Sequence, residues 1–204
     1  MKRTLASLSL VAGILFSAIA VTGCGGQSYN RNHYVLQASP PAKTGARPAD
    51  TVLAVRRFTI DSAYQSSGLV YRKGEFQYET DFYNHFLVSP ADMITEKTRN
   101  WLAESGDFAT VLDPASTVNP THTLKANIIA LYGDFRPDAT PKAVMGIRFF
   151  LTAEKAAPQT VLLAKTYTSS HDLKEKNAGA LVEGFDACLT NILNQLEADL
   201  RGAL

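Results

Sequence analysis

Two thiols, four imidazoles and a scattering of carboxylates are the side chains in this sequence with reactive chemistry to offer. Cys24 and Cys188 are too few for a disulfide framework or for a multi-cysteine zinc or iron–sulfur site. His33, His85, His122 and His171 lie far apart, with no His-x-x-x-His spacing and no partner cysteine motif, so no metal centre is expected. There is no Gly-x-Ser-x-Gly elbow, no phosphate-cradling glycine loop ending in Lys-Ser or Lys-Thr, and no Gly-x-Gly-x-x-Gly fingerprint. Asp81, Asp134 and Asp138 could share acid–base work only if the fold paired them with other carboxylates, which sequence does not show. The expectation is a protein with no catalytic residues and no cofactor.

The chemistry that remains sits at Cys24. Lys2 and Arg3 form a short basic start, and Leu5 to Val21 is a nearly unbroken run of apolar and small residues. That is the layout of a secretory signal. The run is short for a membrane-spanning helix, is diluted by Ser7, Ser9, Gly13 and Ser17, and stops at Gly23-Cys24-Gly25-Gly26. Val21-Thr22-Gly23-Cys24 resembles the bacterial lipobox, in which the cysteine sulfur receives a diacylglycerol, the signal is cut before it and the new amino group is acylated. The resemblance implies lipidation at Cys24 and a membrane anchor without a membrane helix. Gly25 follows where an aspartate typically retains such proteins in the inner membrane, so the outer membrane is expected, with the body facing the periplasm.

Residues 1–23 then form the signal, residues 24–50 the lipidated cysteine and a flexible tether with a short strand, and residues 51–204 one folded domain. Removing the signal leaves 18 Lys and Arg against 19 Asp and Glu. A nearly neutral body has no sequence-wide attraction to nucleic acid or to anionic lipid. At 46% hydrophobic and 19% charged residues the chain is too apolar for disorder, and its length suits one core rather than two.

Local patterns place the elements. Tyr34-Val35-Leu36 reads as a short edge strand, and Gln37 to Asp50, with Pro40, Pro41, Gly45 and Pro48, as a loop. Val52 to Thr59 reads as one strand. Leu69–Arg72 and Glu75–Thr80, joined by Lys73-Gly74, read as a hairpin whose second strand alternates packed Phe76 and Tyr78 with wet Glu75, Gln77 and Glu79. A helix is expected from Pro90 to about Ser105, capped by Ser89 with Asp92 completing the box, and stopped by Gly106. Phe108–Leu112 reads as a strand. Thr121–Phe135, Lys142–Ala153 and Thr160–Ser169 form an antiparallel meander, with Ala156 to Gln159 connecting the last two. A final helix carries the stripe Leu181, Phe185, Cys188, Leu189, Ile192, Leu196 and Leu200. Cys188 therefore reads as a core residue, with a reactive thiol as the alternative. The whole is a single α+β domain, a mostly antiparallel sheet with two helices packed on one face.

Tyr71, Phe76, Tyr78, Phe82, Tyr83 and Phe86 concentrate aromatics around the hairpin. They are read either as core packing or as an exposed surface that docks a partner or a lipid chain, and they are the chosen partner-binding residues. Arg56 and Arg57, with Arg72 and Lys73, are either a basic patch or a solvated face.

The segments Leu53-Ala54-Val55-Arg56-Arg57-Phe58, Gly68 to Arg72, Phe82 to Pro90 and Thr98 to Leu102 resemble the ABC-type transport auxiliary lipoproteins. These include the paraquat-inducible-type lipoproteins that accompany mammalian-cell-entry (MCE) domain proteins. The likeness also takes in the lipobox, Tyr34-Val35-Leu36 and the last helix; family members more often carry a tryptophan where Tyr83 to Phe86 stand here. It implies a non-catalytic subunit of an intermembrane lipid-transport system, docked to an MCE-domain protein and through it to an ABC permease and ATPase. A homo-oligomer stays open. So does a second reading, a lipoprotein assisting outer-membrane assembly or secretion.

Overall fold

The structure, a computed structural model, describes residues 30–40, 50–154 and 160–204. The signal, Cys24, most of the expected tether and loop, and the connection Ala156 to Gln159 lie outside the described residues. Residues 31–204 form one compact unit. Its strands are β1 Asn32–Tyr34, β2 Val52–Val55, β3 Thr59–Ile60, β4 Gly68–Arg72, β5 Tyr78–Phe86, β6 Thr110–Leu112, β7 His122–Asp134, β8 Lys142–Ala153 and β9 Thr160–Asp172. The helices are α1 Pro90–Ser105 and α2 Ala178–Ala203. The α+β single domain expected from the sequence is the fold observed.

Strand β7 is the spine of the sheet. Along one edge it carries β8 in a long antiparallel ladder, and β9 pairs antiparallel with β8, completing the meander. Along its other edge it takes three short parallel strands in succession, β2 at His122–Leu124, β3 at Asn127–Ile128 and β4 at Gly133–Asp134. β5 adds antiparallel to β4, β1 parallel to β5 and β6 parallel to β2. The sheet is thus mixed: antiparallel in its long ladders, parallel in its short ones.

The period-two alternation of β8 buries Ala143, Met145, Ile147, Phe149 and Leu151 on the helix side, while Arg148 points to water on the other. The apolar stripe of α2 lies on that inner face, at a distance set by Gly184. A Cβ there would stand 2.7 Å from Ala143 Cβ and 2.6 Å from Leu173 Cδ2. Helix α1 buries Ile94, Thr98, Trp101 and Leu102 against the same core. Thr95 and Thr98 satisfy their buried hydroxyls on the carbonyls of Ala91 and Ile94. Gly106 ends the helix at φ 83°, a left-handed conformation that favours glycine.

Four local expectations differ from what forms. The strand expected over Val52 to Thr59 breaks at Arg56-Arg57-Phe58, because Phe58 turns into the core and its N–H donates to Thr95 Oγ1 of α1 at 3.0 Å. Ser89 starts α1 with its carbonyl, not its hydroxyl, and Asp92 pairs with Arg57 instead of closing a capping box. β1 lies two residues earlier than Tyr34–Leu36, since the chain then leaves the sheet. Leu36 N–H points at Met93 Sδ, and the N–H groups of Gln37 and Ala38 donate to Asp186 of α2. The hairpin connection runs over Lys73–Gln77, closed by the Lys73 and Gly74 N–H groups on the Gln77 carbonyl. Its second strand begins only at Tyr78, so Phe76 is 90% exposed at the tip rather than packed.

Candidate functional site: an aromatic edge beside the amino-terminal strand

The β4–β5 ladder loses register. Gly68 lies opposite His85 and Val70 opposite Thr80, so β5 spans five steps where β4 spans two. The three extra residues form a bulge over Asp81–Asn84, and bulges re-aim side chains. Phe82 and Tyr83 stand at its crest, 54% and 46% exposed, with ring centroids 5.2 Å apart in an edge-to-face pair.

Asp81 ties the bulge together. One carboxylate oxygen accepts from the N–H groups of Tyr83 and Asn84, at 2.8 and 3.0 Å. The other accepts from the Tyr71 hydroxyl and the Asn84 amide, both at 2.9 Å. His85 adds a contact to the Phe82 carbonyl at 2.8 Å. Partial burial pushes the Asp81 pKa up, but hydrogen bonds from Asn84, Tyr83 and Tyr71 outweigh it and hold the carboxyl below its ordinary range. Conversely, burial and then the Asp81 charge push the Tyr71 hydroxyl far up, so it stays a donor.

The sign of the pH effect follows. A depressed folded pKa means that Asp81 stabilises the bulge above the ordinary carboxylate range, and that this support fades as pH falls through the lower folded value. Asp81→Ala is expected to speed exchange of the Tyr83 and Asn84 amide protons by about tenfold or more at neutral pH. The variant should also lose the acid dependence of the protection of those two amides, which NMR reads once the intrinsic pH dependence of exchange is divided out.

β1 lines this bulge. Asn32, His33 and Tyr34 pair with Asn84, His85 and Phe86. Just before β1, the Arg31 guanidinium lies 5.0 Å from the Phe82 ring centroid, a cation–π distance. Beyond β1 and β5, held by the Leu87 N–H on the Tyr34 carbonyl, Val35, Leu87 and Val88 remain 42%, 60% and 48% exposed. At the other end of β5, Tyr78 packs edge-to-face on Tyr132, which stacks on Tyr64. Burial, with smaller contributions from its neighbours, pushes the Tyr64 hydroxyl up to about 12.

The six aromatics chosen from the sequence therefore divide. Tyr71 and Phe86 are buried in the core. Phe82 and Tyr83 share the bulge, and Phe76 and Tyr78 share the hairpin tip. Sequence reasoning passed over Arg31, Val35, Leu87 and Val88. A detectable signal was present, since Leu87-Val88 is an apolar pair belonging neither to β5 nor to α1. The four basic residues do not form one patch: Arg57 pairs with Asp92, Arg72 closes the hairpin on the Gly74 and Glu75 carbonyls, and Lys73 lies 3.7 Å from Glu79. Cys188 is buried under α2 with its sulfur directed at the Ala143 carbonyl, and burial raises its pKa to about 11, so it is held as a thiol. Among the described residues, no group of His, Cys, Asp and Glu is placed to hold a metal ion.

Aromatic side chains presented along a sheet edge, on a scaffold that holds them there, are the equipment of a docking body. The chain belongs to the ABC-type transport auxiliary lipoprotein component family, whose model matches residues 34–197. No curated protein matches it in sequence. In fold it is similar to protein XCC0632 from Xanthomonas campestris, described under the family model DUF330. The two share 15% identity at a TM-score of 0.71, over 84% of this chain and 96% of that one. An uncharacterized protein matches with a TM-score of 0.61 and 13% identity, over 84% of this chain and 99% of its own. The hypothetical protein CT253 from Chlamydia trachomatis matches with a TM-score of 0.53 and 9% identity, over 76% and 98%. At these identities the likeness is one of fold.

Proposed function

We propose that this protein is the outer-membrane-anchored, periplasm-facing auxiliary subunit of an MCE-type ABC system that moves lipid between the two membranes. Family membership, which describes an auxiliary component of ABC-type transport rather than a catalytic one, carries the reading. In it, residues 1–23 are the removed signal, Cys24 is the acylated anchor, and Gly25 favours sorting to the outer membrane. The energy of transport comes from the ATPase of the assembly, and this subunit works by tethering and docking.

The surface assigned to the MCE-domain protein is the hairpin tip, where Phe76 stands clear of the body and Tyr78, Tyr132 and Tyr64 form a row beside it. Rigid aromatics with polar rims are the side chains that dominate protein interfaces. In mild detergent the native protein is expected to bring down an MCE-domain protein. Phe76→Ala with Tyr78→Ala should weaken that association by about thirtyfold or more, the scale of losing one aromatic hot spot. Recovery of the native protein with outer-membrane assembly or secretion components instead would replace this reading with the other one.

A further inference from the structure

From the aromatic edge we infer that the Phe82–Tyr83 bulge, with Val35, Leu87, Val88 and Arg31, rests on the bilayer surface that anchors Cys24; the inference rests on acylation of that cysteine. Covalent reach argues for it first. Seven residue steps separate Cys24 from Arg31, and an extended chain covers at most roughly 25 Å over that distance. Arg31 is the residue that lies over Phe82, and the next residue, Asn32, pairs with Asn84 two positions beyond it. The chain therefore enters the sheet at the bulge, and the bulge cannot stand farther from the headgroups than the tether allows.

The side chains suit that position. A phenylalanine and a tyrosine side by side, topped by an arginine, with an exposed leucine and two exposed valines just beyond the ends of β1 and β5, combine apolar bodies with polar tips, as groups placed at a membrane–water boundary do. The Arg31 guanidinium over the Phe82 ring brings a positive charge to the crest of the bulge, where anionic headgroups would meet it. The fold also directs resources to this exposure. Four residues of β5, Asp81 to Asn84, are left out of the β4–β5 ladder, and Asp81 is committed to holding the bulge they form. Leu36, with Gln37 and Ala38 on Asp186, fixes the segment just beyond β1 against α1 and α2, so the edge is a rigid surface rather than a loose end. The hairpin tip lies at the opposite end of β5, leaving Phe76 for a protein partner while the bulge faces lipid.

Tryptophan placed at the surface reports the contact, because the chain's single native tryptophan, Trp101, is buried and contributes a constant background. The acylated full-length mature protein is reconstituted into vesicles of phosphatidylethanolamine and phosphatidylglycerol, with or without acyl-brominated phosphatidylcholine. Phe82→Trp, and independently Leu87→Trp, should emit at shorter wavelength on vesicles and lose about half their added emission to the bromines, whereas Phe76→Trp should lose almost none. The second probe keeps the test decisive if either substitution disturbs folding. Acylated protein in which positions 82 and 87 stay unquenched, or are quenched no more than position 76, overturns the contact and leaves the anchor standing. Intact mass showing Cys24 unmodified overturns both together.

Discussion

Exported behind a signal that is cut without acylation, so that the mature chain begins at Gly25, the protein is expected to leave the membrane fraction almost completely. The expectation follows from what else could hold it. No helix among the described residues is long and apolar enough to cross a bilayer. Each buried methylene of an acyl chain contributes about 0.8 kcal/mol, so one chain binds marginally and two or three bind firmly. The side chains of the Phe82–Tyr83 edge add contact area but nothing on the scale of several acyl chains. Their loss should change depth and orientation on the membrane, while loss of the cysteine should change retention itself. Cys24→Ser behind the native signal should behave differently, because it blocks the cut as well as the acylation: the product should keep residues 1–23 and be heavier by that segment. Fractionation and intact mass read both results. A Gly25-starting chain that stays with the membrane would show that the protein surface alone suffices for attachment and overturn the anchor's role in retention.

How the sequence encodes the body is uneven, and the unevenness has physical causes. Wherever one element packs on the core with a regular period, the residues announce it: the alternation of β8, the stripe of α2, and α1 from Pro90 to Gly106 all form where the pattern puts them. Signals fail where a distant partner decides. Arg56-Arg57-Phe58 reads as a continuing strand, and only Thr95, 37 residues on, takes the Phe58 N–H out of the ladder. The short parallel pairings of β2, β3 and β4 on β7 depend on crossovers that no local pattern records. The candidate site suffers the same way. Tyr71, Phe82, Tyr83 and Phe86 look alike as a run of aromatics, yet a three-residue slip in register, held by Asp81, sends the middle two outward while Tyr71 and Phe86 stay in the core. Periodicity cannot show a slip, so aromatic density located the region while the exposed members needed the fold.

The body's own integrity should depend most on Trp101. It is fully buried between the helices, and its Nε1–H donates to Glu197 of α2 at 2.8 Å. Arg201 pairs with Glu197 one turn away and reaches back to Asp107, just past the end of α1, at 2.7 Å. The indole thus fills the inter-helix space and satisfies a buried carboxylate that links two elements 96 residues apart in sequence. Trp101→Ala removes both functions and should destabilise by about 3–5 kcal/mol, the range for deleting a buried aromatic. For a domain of this size that corresponds to a fall in melting temperature of roughly 6–20 °C. Trp101→Phe keeps most of the volume and removes only the donor, so its cost should be nearer 1–3 kcal/mol, the penalty of a buried acceptor left short of a partner. Thermal unfolding followed by circular dichroism orders the variants, Ala below Phe below the native chain. If Trp101→Ala melted with the native protein, α1 would be held through its contacts with the sheet, and the Trp101–Glu197 bond would be incidental to the fold.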